Sequence, residues 1–203
     1  MSYRWEASER IARRRLIAIV RHAETAVAEQ VGDAVIEAGL DVLEVPLTTP
    51  DALGAIERLA RRHPGALIGA GTVLDATSAR LAILAGARFL VSPSLDGDVL
   101  RTGHRYGAAV LPGVQTPTEI VRALEEGADL IKLFPADEHT PGYLKAVRAA
   151  LPQAPLVPTG GIGADDARAW LDAGAVALGV GGSLTRAPAD AGATAAALLA
   201  AVA

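Results

Sequence analysis

Eight short apolar runs recur along the chain, each followed by a stretch whose apolar positions repeat with a helical period. The runs lie at 16–20, 42–47, 67–71, 88–93, 108–114, 130–135, 156–161 and 175–182. Between them the pattern predicts helices near 23–38, 51–62, 74–86, 95–106, 116–126, 141–150 and 164–173. A last helix is predicted near 187–203, and an extra one precedes the first run near 4–14. Several helices carry start signals. Thr116-Pro117-Thr118-Glu119 offers a capping hydroxyl, a Pro at the first helical position and a Glu at the third. Thr49-Pro50 and Thr140-Pro141 repeat the cap-then-Pro form, and Gly39, Gly127 and Gly174 close helices ahead of the next strand.

Eight strand–helix units in a row predict a parallel α/β sheet. The expected architecture is a (β/α)8 TIM barrel with an extra N-terminal helix, a single domain over residues 1–203. That length is near the ~200-residue lower limit of the fold. A doubly wound open sheet is the competing arrangement. The barrel is favoured because several runs carry polar residues at their C-terminal ends, where barrel active sites lie.

Composition narrows the function classes. Half of the 203 residues are hydrophobic, 21 are Gly and 12 are Pro, which excludes a disordered chain. Net charge is −4 with both signs dispersed, and aromatic residues make up 3%, so neither a basic stripe nor stacking platforms for nucleic acid are present. There is no Cys, hence no disulfide, thiolate metal site or Cys nucleophile. The stretch MSYRWEASERIARRR is charged and has no apolar signal core, and no apolar run reaches ~18 residues. A cytoplasmic protein with no membrane partner is therefore expected.

Against that background one residue stands out. In DLIKLFPAD, residues 129–137, Lys132 interrupts an apolar strand. Of 19 basic residues only Lys132 and Lys145 are lysines, so a surface cation in this chain is nearly always Arg. Strand side chains alternate, which places Lys132 on one face with Leu130 and Phe134. By the same alternation Glu44 shares a face with Val42 and Pro46, and Arg21 with Ile17 and Ile19. If those faces point inward, the three polar groups converge at one end of the barrel. Burial disfavours the ammonium, and a neutral amine can attack a carbonyl to form a Schiff base. Glu44 is the candidate to move the protons. Two structural readings compete with this: a buried Lys132–Glu44 salt bridge, and a lysine that snorkels to water.

Two Gly pairs close the seventh and eighth runs, in Thr159-Gly160-Gly161-Ile162-Gly163 and in Gly179-Val180-Gly181-Gly182-Ser183-Leu184. Loops in those positions of (β/α)8 enzymes often bind phosphate through backbone N–H groups, and the Ser183 hydroxyl adds a donor. The other reading of each pair is turn punctuation. No P-loop or dinucleotide fingerprint is present. Thr72, just past the third run, is either a helix cap or a ligand contact; Pro93 and Pro112 end the fourth and fifth runs. His22, His63, His104 and His139 show no metal-ligand spacing, so neither a metal nor another cofactor is called for.

Taken in order, EVPL, GAGTV, VSP, LPGV-TPTE, IKLFPA, VPTGGI and GVGGSL resemble the 2-keto-3-deoxy-6-phosphogluconate aldolase family, whose relatives include 4-hydroxy-2-oxoglutarate and 2-keto-3-deoxy-6-phosphogalactonate aldolases. The resemblance covers roughly residues 5 to 200. It implies a class I, metal-independent aldolase on a (β/α)8 barrel, commonly a homotrimer, acting on a keto sugar-acid phosphate. In that resemblance Lys132 matches the Schiff-base lysine and Glu44 the general acid/base. Thr72 and Pro93 match positions lining the pyruvate pocket, with Phe134 beside them, and Thr159 a contact to the hydroxyl-bearing chain. Gly160, Gly161, Gly181, Gly182 and Ser183 match the phosphate loops. One position departs: where many gluconate-type members carry Arg after the strand-two Leu, this chain has Thr48, and Arg21 takes the carboxylate role in the manner of the galactonate type. Thr159 leans the substrate toward the gluconate epimer. The alternatives carried forward are the galactonate epimer, 4-hydroxy-2-oxoglutarate, a phosphate-binding barrel isomerase or epimerase, and a non-catalytic phosphate-ligand binder.

Overall fold

Each apolar run forms a strand, and each helical segment packs beside it. The computed structural model describes residues 3–203. The strands are β1 (Leu16–Ile19), β2 (Val42–Pro46), β3 (Leu67–Gly71), β4 (Phe89–Val91), β5 (Ala109–Leu111), β6 (Gly113–Val114), β7 (Ile131–Leu133), β8 (Leu156–Pro158) and β9 (Leu178–Val180). The helices are α1 (Arg4–Arg14), α2 (Thr25–Glu37), α3 (Ala52–Arg62), α4 (Ala76–Leu84), α5 (Gly97–Arg105), α6 (Pro117–Glu125), α7 (Pro141–Ala150), α8 (Ala164–Asp172), α9 (Gly182–Thr185) and α10 (Ala191–Val202).

All pairings are parallel, in a six-stranded sheet ordered β5-β4-β3-β2-β1-β9 and a three-stranded sheet ordered β6-β7-β8. The run at 108–114, expected as one strand, is two, because Pro112 has no N–H to donate. Its carbonyl still accepts the Lys132 N–H at 2.9 Å, which carries the pairing across the break. At the other border a parallel bridge joins Thr159 to Gly179.

Period-2 alternation sorts the strand side chains onto two faces. Leu16, Ala18, Leu43, Val45, Ile68, Leu90, Val110, Ile131, Leu133 and Leu156 face the helices in the larger core cluster. Ile17, Val42, Leu67, Phe89, Val91, Ala109, Leu111 and Val157 form a second cluster on the opposite, inner face. Helix α1 closes that cluster from below by inserting Ala7 and Ile11, the latter fully buried. Burying one such side chain contributes about 1.5–3 kcal/mol. Arg10 and Arg14 of α1 pair with Asp41, and Arg4 pairs with Asp129 at 2.7 Å. Asp41 and Asp129 stand ahead of β2 and β7, so α1 is tied to the N-terminal ends of the strands and leaves the other ends open.

The start signals are largely realised. Thr116 and Glu119 form the reciprocal capping box, and the Thr140 hydroxyl accepts the Tyr143 N–H at 3.2 Å. Thr49 does not cap α3. The helix begins one residue later than expected, its cap position Asp51 is left-handed at φ 47°, and the Thr49 hydroxyl is buried without a partner. Helix α4 is capped by Asp75, which accepts the Ser78 N–H, rather than by Thr72.

Candidate active site

The alternation that fills the inner face with apolar side chains changes character one step further along each strand. Past Ile17, Val42, Leu130, Val157 and Ala177, the next residues of the same parity are Ile19, Glu44, Lys132, Thr159 and Gly179. Glu44 is in register with Ile19 on one side and Gly69 on the other, and Lys132 lies between Gly113 and Val157. The C-terminal ends of the strands thus surround a cavity of 420 Å³, lined by Ile19, Arg21, Glu44, Lys132, Phe134 and Thr159 together with the two Gly-rich loops.

Lys132 is 7% exposed and Glu44 2%. They feel each other's charge, yet no ion pair or hydrogen bond joins them. The structural salt bridge is therefore not formed. Burial is the largest influence on both. It pushes the Lys132 ammonium below its usual value, a shift that Glu44 opposes and Arg21 reinforces. It pushes the Glu44 carboxyl above the usual carboxylate range, against the pull of Lys132 and Arg21. Both groups are driven toward their neutral forms, as needed for a nucleophilic amine beside a proton donor. The Lys132 Nζ also lies 4.4 Å from the centre of the Phe134 ring, where it gains a modest cation–π attraction.

Glycines make the room for this arrangement. A Cβ on Gly71 would overlap the Glu44 carboxyl, and one on Gly179 would overlap Thr159. In the loop after β8, Gly160 and Gly161 adopt φ of 118° and 70°, where a side chain is strained. In the loop after β9, the Ser183 hydroxyl is buried, borders the cavity and has no hydrogen-bond partner among the described residues. A buried hydroxyl without a partner is costly unless a ligand completes it.

The structure thus brings Lys132, Glu44, Arg21, Phe134, Thr159, Gly160, Gly161, Gly181, Gly182 and Ser183 to one cavity. Arg21 is exposed at its rim. Thr72, left-handed at φ 56°, and Pro93, which packs its carbonyl against Gly113, are not among the lining residues. Sequence reasoning missed Ile19, Ile162, Gly163, Gly179, Thr185 and Arg186, which also line it. The signal for Arg186 was its place one helical turn beyond Ser183. Among the described residues no group of three or more His, Asp or Glu could hold a metal, and no helix is long and apolar enough to cross a membrane.

The family model for KDPG and KHG aldolase matches residues 7–195. The chain belongs to that family. It is 38% identical to the 2-dehydro-3-deoxy-6-phosphogalactonate aldolase of Escherichia coli (strain K12) over 174 residues, 85% of each chain. It is 40% identical to the 2-dehydro-3-deoxy-phosphogluconate aldolase of Zymomonas mobilis over 158 residues, 77% of this chain and 74% of the relative. Among solved structures, a native KDPGal structure superposes with a TM-score of 0.87 at 35% identity, covering 92% of this chain and 93% of that one. A KDPG aldolase from Legionella pneumophila, with pyruvate captured as a covalent carbinolamine, superposes with a TM-score of 0.80 at 30% identity, covering 92% and 91%. The cavity described above holds one lysine, Lys132.

Proposed function

We propose that the chain is a Schiff-base aldolase that cleaves 2-keto-3-deoxy-6-phosphogluconate to pyruvate and glyceraldehyde 3-phosphate. The observation that carries the reading is the Lys132 amine: buried, unpaired, lowered in pKa and facing a 420 Å³ cavity beside Glu44. Lys132 Nζ attacks the C2 carbonyl, and Glu44 gives its proton to the carbinolamine hydroxyl, which leaves as water; this yields the iminium and leaves Glu44 a carboxylate. Glu44 takes the proton of the C4 hydroxyl as the C3–C4 bond breaks and its electron pair moves into the iminium, leaving an enamine and the aldehyde. Protonation at C3 and hydrolysis then free pyruvate and restore the amine. Arg21 holds the substrate carboxylate, Phe134 and Thr159 contact the carbon chain, and the Gly160–Gly161 and Gly181–Ser183 loops take the phosphate. The proposal gives no substrate contact to Thr72 or Pro93. Borohydride reduction in the presence of pyruvate should add three carbons to Lys132. Active enzyme whose Lys132 stays unlabelled refutes the mechanism.

The galactonate epimer is the second reading, favoured by Arg21 at the end of β1 with Thr48 after β2. Coupled pyruvate release from the two epimers and from 4-hydroxy-2-oxoglutarate, with and without EDTA, separates these readings. A chelator-sensitive activity that survives Lys132→Ala would point to an isomerase or epimerase, and tight binding without pyruvate release to a non-catalytic binder.

In the same proposal the two sheets are parts of one closed (β/α)8 barrel forming a single domain. Support comes from the bridge at Thr159–Gly179, the pairing carried across Pro112, and one interior cluster plugged by α1. We further propose a cytoplasmic homotrimer. The exposed Leu74, Leu81 and Leu84 on and beside α4 give an apolar surface suited to subunit contact.

A further inference from the structure

The charged residues lining the cavity are Arg21, Lys132, Arg186 and Glu44, three cations to one acid in a chain whose net charge is −4. Arg21 acts electrostatically on both Lys132 and Glu44, and Arg186 lines the same cavity from the loop after β9. Arg186 closes α9, its N–H bonding the Gly182 carbonyl at 3.1 Å. Three and four residues after Ser183 and Gly182, it lies on the same side of that turn. Its side chain is exposed, and among the described residues it has no carboxylate partner. Beside it are Ser183, whose buried hydroxyl lacks a partner, and a loop in which nothing lies within 4 Å of the space beside Gly182. An unpaired guanidinium, an unpaired buried hydroxyl and open backbone meet at one place on the wall. A dianionic group completes all three, since a guanidinium binds phosphate with two parallel hydrogen bonds.

We propose that Arg186 is a specificity-determining residue: it pairs with the substrate's terminal phosphate and makes the cavity select phosphorylated keto acids over shorter, unphosphorylated ones. The inference rests on the aldolase reading and adds to it the group that discriminates. The terminal carboxylate of a five-carbon keto acid carries less charge and reaches less far from the Lys132 carbon, so it gains little from this guanidinium.

The test compares wild type with Arg186→Ala and Arg186→Lys in three measurements: pyruvate release from 2-keto-3-deoxy-6-phosphogluconate and its C4 epimer, direct binding of inorganic phosphate by calorimetry, and borohydride trapping of pyruvate at Lys132. Losing a charged hydrogen-bond partner should raise KM for the phosphorylated substrate about ten- to hundredfold while kcat changes little. Phosphate binding should weaken by a similar factor, Arg186→Lys should recover part of both, and trapping of pyruvate, which has no phosphate, is the internal reference. The inference is overturned if KM and phosphate affinity in Arg186→Ala stay within about twofold of wild type, or if KM rises with phosphate affinity unchanged. It is also overturned if trapping falls in step with KM, which would mean a general structural role. If wild type releases no pyruvate and traps none, the aldolase reading fails. Phosphate affinity lost in Arg186→Ala would still uphold the anion contact, and phosphate affinity retained would end it.

Discussion

Gly71 faces Glu44 across the inner surface, and its replacement by Ala tests whether the carboxyl must sit where it does. Its φ is not in the left-handed region, so Ala fits the backbone there. The conflict is confined to the new Cβ, which would lie 2.5 Å from Cδ and 2.8 Å from Cγ of Glu44 and closer still to Oε1. The whole Glu44 side chain must therefore swing away from β3, out of its buried position and into the cavity it borders. Overpacking of this kind costs about 1–3 kcal/mol. With roughly 2–4 °C per kcal/mol for a chain of this size, Tm should fall by about 2–12 °C. A displacement of about 1 Å at a reacting group reduces rates on the order of a hundredfold, so kcat for pyruvate release should drop by about that factor. Gly69→Ala is the matched comparison. Its Cβ would meet the fully buried Phe89 ring in the apolar layer below, so it should lower Tm comparably while sparing kcat. Thermal melts and steady-state kinetics on the two variants decide the matter. Equal losses of kcat in both, or an unaltered kcat in Gly71→Ala, would refute the claim that Glu44's position rather than general packing limits the rate.

Other outcomes follow from the same geometry. Lys132→Met should abolish borohydride labelling and also raise stability. The folded chain holds Lys132 below 10.5, so below that pH the unfolded chain binds more protons, and the stability gain should be largest at acid to neutral pH and shrink toward pH 10.5. Melts of both proteins across pH check this; a gap that widens toward alkaline pH contradicts it. Glu44→Gln removes the one charge that holds the Lys132 pKa up, so the midpoint for trapping pyruvate should move to lower pH than in wild type. Ile11→Ala should lower stability by about 2–5 kcal/mol through the cavity it leaves under the strands, with kcat preserved. Thr116→Ala should cost about 0.5–2 kcal/mol by unmaking the capping box of α6, read as a lower Tm.

The residues that could be read from sequence are those whose placement follows from parity along a strand. Glu44 and Lys132 each occupy a slot that alternation assigns to the inner face, and a charge in such a slot is visible in the sequence because its neighbours are apolar. The Gly pairs were legible for the same kind of reason, standing where each of two strands ends. What escaped depends on distance across the molecule. Thr49 and Thr72 looked like caps, but the helices they precede start later: α3 is entered through the left-handed Asp51, and α4 is capped by the extended Asp75, three residues past the left-handed Thr72. Pro112 looked like the end of a run and is a break within one, because its carbonyl still serves the ladder while its nitrogen cannot. Arg186 follows a four-residue helix too short to show a period, so its spacing from Ser183 is the one trace of it in the sequence.

The inner face is layered along the strands, and the layering explains how ionisable groups can be held dry there. At the base, α1, Phe89 and their neighbours form a cluster of buried apolar side chains that excludes water and supplies burial energy. One residue pair further on come Glu44 and Lys132, whose desolvation is unfavourable. Beyond them the wall is mostly glycine, which contributes no packing and leaves backbone exposed to a ligand. In the proposed mechanism, stability and chemistry are thus carried by different layers of the same strands. A substitution in the base should move Tm without kcat and one in the rim KM without Tm, while the middle layer alone should couple the two. The Gly69 and Gly71 comparison probes that boundary directly, because the two residues are neighbours of the same parity on β3, one facing each layer.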